Sequence, residues 1–505
     1  MAISNAVPSG AKSAINGTNL DRGNFAPGSP FLPQSIYIIA EANADNQADL
    51  DLNPYQITNA RQAGIRYGYG SLIYAAARIL FPVTGTGTTI PVYVLPVAEP
   101  DSAAAQVFTV TPTGNATKAA TIYLKVNGRR AVDGASYGIS VAVGDTPTLI
   151  CNKFRTALAA CLGAPVTGSG TATLVATAKW KGETGTQISI EVDLDGNDIG
   201  TTFAVVDTTP GTGAVTVTDA LSRIDDWGTA IINGVDLSDT DILTEYEAWN
   251  GIPDPLNPTG RFVGIDFKPA MVYTGTTADN PTSITDARKD NCTIAACMAP
   301  LSKGFSIEAA ANVVAAWLPI AQSTPNLSPL NQRYPDMPAP NAGDVPAIVS
   351  WTVRDQYVKK GCSTVDFKNG AYIIKDLVTT YHPEGEVIPY YAYVRDLNIY
   401  SNYVYRYNLL KAEELTGKQI ARNADSVSAP GVIKPMDIVA LIGSRLIDGA
   451  VQDGLIVDAE YSKSTIVVEI DSSNPNRIND THDIKISGVA YITSSTVRGG
   501  FNFSS

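Results

Sequence analysis

The chain has 505 residues, 44% of them apolar and 17% charged, with 42 Gly, 31 Pro and 23 Tyr. That length exceeds one hydrophobic core and implies roughly two to four domains, while the composition excludes wholesale disorder and coiled coil. The 49 Asp+Glu against 36 Lys+Arg leave a formal charge of −13, the opposite of what a sequence-independent nucleic-acid binder needs.

Residues 1–33 are rich in Gly, Pro, Ser and Asn without apolar periodicity, and form an expected extended arm. Order begins with a β-rich run at 35–40. A helical face follows with Leu72, Ile73, Ala76, Ala77 and Leu80, stopped by Pro82, and then a proline-bracketed strand at 91–96. Strand, helix and strand in that order predict an α/β layer. From 101 to 206 Thr, Val, Ala and Gly dominate. A strand at 122–126 runs into Asn127-Gly128 and is expected to return through 129–132, because an Asn-Gly pair suits the type I′ hairpin turn. A strand at 139–143, a helix at 146–161 with Ile150, Phe154 and Leu158 inward, and strands at 173–178 and 187–193 complete an inserted domain.

Helices are expected at 221–227, 242–249 and 307–318, a strand at 261–265 and a buried apolar run at 291–299. Seven prolines between Pro319 and Pro346 mark a stiff loop, taken as the seam before the last domain. Strands at 363–367 and 371–377 flank a second hairpin pair, Asn369-Gly370. A helix follows with the stripe Tyr393, Leu397, Tyr400, Val404 and Tyr407, then one opened by Pro435, a strand at 466–470, a turn at 472–477 and a final β-rich run at 484–492. The expected fold class is therefore α+β multidomain. It has an α/β body (34–100 and 207–345), an inserted β-rich α+β domain (101–206), a C-terminal mixed α/β domain (346–483) and extended terminal arms (1–33 and 484–505).

The residues that carry chemistry are not arranged for it. The two histidines, His382 and His482, have no sequence partner, and the chain contains no HExxH, GxSxG or GxxxxGK[ST]. Gly85-Thr86-Gly87 lacks the third glycine of a dinucleotide loop. The run from Asp193 to Asp198 has Asp198 and Ala204 where a calcium loop needs Gly and Glu. Cys151, Cys161, Cys292, Cys297 and Cys362 fit neither a disulfide framework nor a zinc pattern, and are expected as buried thiols in a reducing compartment. The first residues lack an apolar signal core, and the longest apolar stretch, 309–321, contains Asn312 and Pro319 and is too short to span a membrane. No catalytic residue, cofactor site or metal site is expected, which points to a structural or assembly protein made in a cytoplasm.

The termini ask for a partner. Strand-forming residues continue past Ile484 and Ile486 to Val489 and Tyr491, and Phe501 and Phe503 lie beyond a Gly499-Gly500 joint. Leaving each phenylalanine in water forgoes about 2–3 kcal/mol, whereas a strand added to an open sheet edge gains main-chain hydrogen bonds and side-chain burial together. The alternative is that the tail folds back as an edge strand of its own domain. Arms at both ends of a non-enzymatic chain favour a polymer whose subunits exchange strands.

Several short motifs then resemble the tail sheath proteins of contractile bacteriophages, in the Mu-like branch. They are Gly361-Cys362-Ser363-Thr364, the hairpin Asn369-Gly370 with its β-rich run, and Thr379-Thr380-Tyr381. Asn474-Pro475-Asn476-Arg477 is similar to a D-P-N-R-type turn, Gly68-Tyr69-Gly70-Ser71 to the family's entry into its first helix, and 122–143 with 176–183 to that branch's insertion. Cys362, Asn474 and a tail running past the usual end depart from the pattern. The resemblance implies a mechanical protein: hexameric rings stacked into a helical polymer around a tail tube, joined to baseplate and tail terminator proteins, in a virion tail assembled in the bacterial cytoplasm. Contraction would drive the tube through the host envelope and deliver the genome without nucleotide hydrolysis, nucleic-acid binding or membrane insertion by this chain.

Terminal strands of such proteins augment a sheet in a neighbour's C-terminal sheath domain. Ile484, Ile486, Val489, Tyr491, Phe501 and Phe503 are thus expected in the donated arm, and Ala371, Ile373, Lys375, Ile466, Val468 and Ile470 in the receiving sheet. The Pro435 helix is expected to face the tube and the insertion to lie outside. A headless contractile injection device and a non-enzymatic host-binding tail protein are the alternatives. The second should show fibre repeats, which are absent. A carbohydrate-active enzyme would need a carboxylate pair that the sequence does not single out.

Overall fold

The computed structural model describes residues 31–83, 85–232, 240–253, 256–264, 267–384, 391–427 and 429–495. The chain is a mixed α/β protein that divides into two compact units. One takes residues 32–403 with the described stretch 486–495, and the other takes Phe31 with 404–485.

The first unit is organised by a six-stranded sheet in the order Ile294–Met298, Met271–Thr276, Thr229–Ile232, Ile36–Glu41, Val92–Val97, Tyr55–Ile57. Every pair is parallel except the last, where Tyr55–Ile57 runs antiparallel along the edge. Parallel strands are covered on both faces, which is why IYIIAE, TAII and IAACM read as continuous buried runs. Alternate residues serve opposite layers. Ile36 and Ile38 face a core shared with Leu72–Leu80 and Ser306–Ser323, while Tyr37 and Ile39 face Leu221, Ile242 and Tyr246. Ser71 starts the first of these helices by accepting the Tyr74 N–H at 3.1 Å.

Two expectations for the body fail for local reasons. Residues 261–264 do not form a strand, Gly260–Phe262 being a single 3₁₀ turn, and Ile265 lies outside the described residues. The Arg261 guanidinium donates to the carbonyls of Lys268, Ile224 and Asp226 at 2.7–2.8 Å and stacks on Trp249, so it staples a loop where the apolar pattern suggested a ladder. The helix expected at 221–227 is one turn, Thr218–Leu221, begun early because the Glu245 carboxylate accepts the Val217 and Thr218 N–H groups.

Inserted between Val92–Val97 and Thr229–Ile232 are two antiparallel sheets. One has the order Thr202–Thr209, Val107–Thr113, Leu174–Ala178, Val166–Ser169, and the other Ile190–Asp193, Ala120–Val126, Gly138–Val141. The helix Pro147–Ala160, capped by Thr146, buries Ile150, Phe154 and Leu158 as expected, with Cys151 beside them. The Asn127-Gly128 turn has φ of 49° and 70°, and Val126 and Arg129 exchange two 3.0 Å hydrogen bonds across it. Beyond that single bridge the expected return strand is absent. Ala131–Val132 pairs with Ala135–Ser136 around a second left-handed turn at Asp133-Gly134, and Arg130 is drawn away to Asp193 and Asp195. The true neighbour of Ala120–Val126 on that side is Gly138–Val141.

In the second unit, Pro435 opens a helix whose Asp437 carboxylate accepts the Lys434 N–H at 3.0 Å. The helix continues through a π-helical segment, Ile442–Ile447, into Asp448–Gln452, and buries Ile438, Ile442, Leu446 and Ala450. Gln419–Ile420 pairs with Val432–Ile433, and Val467–Ile470 with Ile478–Thr481. The units divide between Tyr403 and Val404, inside the helix Val394–Glu414. The expected tyrosine stripe of that helix is only half-buried, apart from buried Leu397. The buried face instead runs through Arg395, Ile399, Tyr403, Arg406 and Leu410. Among the described residues no helix is long and apolar enough to cross a membrane.

Candidate assembly surfaces

The motif residues come together as a structural knot. Gly361 turns with φ of 70°, and a Cβ there would lie 2.7 Å from the Thr380 carbonyl oxygen. Ser363 Oγ donates to the Val378 carbonyl at 3.0 Å and accepts the Val378 N–H at 3.1 Å, while Thr364 Oγ1 donates to Asp376. Thr379 bridges to Ala295, and Thr380 donates its N–H to the Ile294 carbonyl at 2.9 Å and its hydroxyl to Asn291, so the segment continues the body sheet past its edge strand. Tyr381 packs edge-on against Tyr391. These buried hydroxyls satisfy main-chain groups that a loop beside a sheet would otherwise leave unpaired. They also explain why the hairpin 364–376 belongs to the first unit.

Pro475 and Arg477 lie apart from this knot, in the turn joining Val467–Ile470 to Ile478–Thr481. There the Asp471 carboxylate accepts the Ser473 hydroxyl and N–H, the Asn479 amide and the Asn474 N–H. Those hydrogen bonds hold its pKa well below the usual carboxylate range.

The expected receiving residues fall in two separate hairpins. Ala371, Ile373 and Lys375 lie on Ala371–Asp376, which pairs with Thr364–Lys368 on one side. On the other side the proline-rich loop already covers it: Asn331 and Tyr334 donate N–H groups to Ile374 and Tyr372, and Ile374 donates to Gln332. Both sides of this strand are therefore hydrogen-bonded within the chain. Val468 and Ile470 lie on Val467–Ile470, with Ile466 just before it. Among the described residues that hairpin has no third strand, and Val467 is 54% exposed. A lone two-stranded hairpin is marginal in water and its open edges are templates for pairing.

Of the expected donated arm, Phe501 and Phe503 lie outside the described residues. Ile484 sits beside Lys485, which bridges to Val457. Ile486, Val489 and Tyr491 follow in a half-buried segment, turned where the Tyr491 N–H donates to the Val489 carbonyl at 2.8 Å, that forms no strand among the described residues, so neither the β-run at 484–492 nor an edge strand in cis is present there. Tyr491 stacks on Tyr393 with centroids 4.9 Å apart and planes 10° apart, and its hydroxyl accepts from Ser328 Oγ at 3.0 Å. Burial raises the pKa of both phenols, Tyr393 to about 12. Arg395 donates to the Ser487 carbonyl at 3.0 Å and is itself held by Asp396 and the Asn326 carbonyl.

Sequence reasoning missed a buried ionic clamp between insertion and body. Glu308, 2% exposed, accepts from Arg78 at 3.1 Å and from Arg129 at 2.9 Å, and Asp336 meets the same guanidiniums at 2.8 and 3.3 Å. Tyr74 donates to Asp133 at 2.7 Å beside them. Burial works against the Arg78 charge, but Glu308, Asp336 and Asp133 outweigh it and raise its pKa. The four charges stand far apart in sequence, and only a glutamate inside the apolar helix 307–318 hinted at a buried partner.

No protein-family model matches the chain. Among solved structures, a sheath tail protein from Desulfitobacterium hafniense matches 94% of this chain and all of its own at 12% identity and a TM-score of 0.43. A chain of the anti-feeding prophage baseplate matches 97% and 100% at 9% identity and a TM-score of 0.47. A chain of an extracellular contractile injection system, the PVC sheath complex in its contracted state, matches 97% and 98% at 10% identity and a TM-score of 0.41. In sequence the chain is 24% identical over 492 residues, 95% of its own length and 96% of the relative's, to the Mu-like prophage FluMu tail sheath protein of Haemophilus influenzae, so the likeness to Mu-like tail sheath proteins carried by its short motifs extends along nearly the whole chain.

Proposed function

We propose that this chain is the structural subunit of a contractile phage tail sheath. The observation that carries the proposal is the nearly end-to-end alignment with a Mu-like tail sheath protein. In this reading the subunits stack as hexameric rings around a tail tube, with a baseplate at one end and a terminator at the other. They are assembled extended, and the work of contraction comes from interface area buried in the shorter, wider lattice. Residues 101–206 lie on the outside and the Pro435 helix faces the tube.

The open hairpin at 467–481 supports a strand-exchange joint, since it offers the unpaired edges that an arriving strand needs. The arm at 484–505 is the donated piece; its Gly499-Gly500 pair, the residue type a bending joint needs, lies outside the described residues.

Electron microscopy of the purified full chain tests the reading. Tubular polymers of uniform width are expected, and discrete fibres or permanent monomers at high concentration would overturn it. A chain ending at Ala490 should remain a folded monomer and form no tubes.

A further inference from the structure

We infer that residues 487–491 are latched in cis onto a platform of Tyr393, Ser328 and Arg395 in the free subunit, and that this latch must open before the C-terminal arm can be donated. The inference rests on the sheath reading for its consequence, but its geometry stands alone.

The segment is gripped at two points by side chains. At one, the Tyr491 ring lies flat on Tyr393 and its hydroxyl accepts from Ser328. At the other, Arg395 donates to the Ser487 carbonyl at 3.0 Å and reaches the Ser487 hydroxyl at 3.5 Å. The platform is fixed before the tail arrives. The Tyr393 main chain bridges to Val378 at the start of the helix Val394–Glu414, and Arg395 is tied to Asp396 and the Asn326 carbonyl. The grip ends abruptly, for Ile492 is 89% exposed. Because residues 486–495 enter no strand pairing among the described residues, opening the latch costs one stack and a few hydrogen bonds, while the ladder that the arm can form elsewhere is still unmade. A contact of that size keeps the arm docked most of the time and yields to a ladder. Such a device would stop free subunits from pairing at random.

Chymotrypsin reads the latch directly, because it cuts after an aromatic residue only once that ring has left its contacts and entered the protease pocket. The full-length free chain is digested at low temperature, below the concentration at which it polymerises, and cleavage after Tyr491 is followed by mass spectrometry. Tyr393→Ala should raise the cleavage rate about tenfold, which corresponds to about 1.4 kcal/mol of lost docking. Ser328→Ala should raise it roughly threefold, and Tyr393→Phe, which keeps the ring, should stay near wild type. Equal rates in wild type, Tyr393→Ala and Ser328→Ala overturn the latch. Where Tyr393→Ala melts early, Ser328→Ala alone decides.

The gating step is read from the lag before light scattering rises, which Tyr393→Ala should shorten; an unchanged lag overturns it. Tyr491 protected in the wild type and exposed by Tyr393→Ala, in a chain that never polymerises, would sink the sheath reading and leave the latch. Tubes formed by a wild type with unprotected Tyr491 would do the reverse.

Discussion

Replacing Glu308 by alanine tests whether the ionic clamp holds the insertion to the body. Both carboxylate oxygens are used: Oε1 accepts from Arg78, and Oε2 accepts from Arg129 and from the Phe305 N–H at 3.1 Å. Arg78 and Arg129 are each 12% exposed in their side chains; Arg129 would be left with Asp336, and Arg78 with Asp336 and a 4.0 Å contact to Asp133. Removing one partner of a buried pair strands the remaining charge, at a cost of about 3–5 kcal/mol. We expect about 4 kcal/mol, or about 5 °C in melting temperature for a cooperative block of this size. Glu308→Gln keeps the shape but loses the charge and should cost about 2–3 kcal/mol. Arg129→Met combined with Glu308→Ala should be milder than the sum of the two single changes by about 2 kcal/mol, since the second change removes a charge that the first has stranded. Urea titrations followed by tryptophan fluorescence suit the test, because Trp180 packs edge-on against Phe305 beside the clamp. A loss below about 1 kcal/mol for Glu308→Ala, or strict additivity in the cycle, would refute a desolvated network.

The five cysteines are buried and free, and burial pushes Cys292 up to about 12 and Cys362 up to about 11, so Ellman's reagent at pH 8 should label the native chain slowly and all five thiols at once in guanidinium. Two glycines should fail for different reasons, as melting of each alanine variant will show. Gly370→Ala meets nothing within 4 Å but forces φ of 73° on a Cβ, costing about 1–2 kcal/mol, whereas a Cβ on Gly275 falls 1.7 Å from the Ser306 carbonyl oxygen and should prevent normal packing of the helix Ser306–Ser323. Burial opposes ionisation of Asp193, but the Asp195 N–H, Lys125 and Arg130 win and lower its pKa to about 2. The stability it contributes is therefore complete above the ordinary carboxylate range and is lost as pH falls from about 4 to about 2. Melting of wild type and Asp193→Asn should converge over that interval.

The sequence made legible what local chemistry dictates. Ser71 caps the helix that follows it, the helix expected at 146–161 is present with Thr146 as its cap, Ile150, Phe154 and Leu158 face inward, and both Asn-Gly pairs adopt left-handed turns. It misplaced what depends on distant partners. Arg261 forms three bonds to carbonyls that no local pattern displays, and Arg395 and Arg406 occupy the buried face of a helix whose tyrosines looked like the core stripe. The strand Ala371–Asp376 was recognised, but its closed edge was not, because the residues covering it sit in a proline-rich loop without strand character. The assembly residues were least legible of all. A donated arm and a tail latched in cis use the same apolar and β-forming residues, and only coordinates distinguish the stacked Tyr491 from a free one.

The body sheet bears on why such a chain would be mechanical. Its five parallel strands run outward in both directions from Ile36–Glu41, and doubly wound sheets of that kind hold ligands in the crevice beyond the strand ends where the order reverses. Here Glu41, at the end of Ile36–Glu41 and 1% exposed, accepts the Thr184 hydroxyl at 2.5 Å. Thr184 in turn accepts the Trp180 indole N–H at 3.0 Å, and Trp180 packs on Phe305. The insertion thus sends its own side chains to the position a ligand would take. Together with the clamp on Glu308, this gives two separate buried attachments, each hard to break because it would strand a polar group. Insertion and body should then move as one piece. Large rearrangements would be left to the places where attachments are few: the open hairpin at 467–481 and the two-point grip on the C-terminal segment. The sheath function proposed above would ask the same of the chain: bodies that rotate without deforming while the ends stay joined.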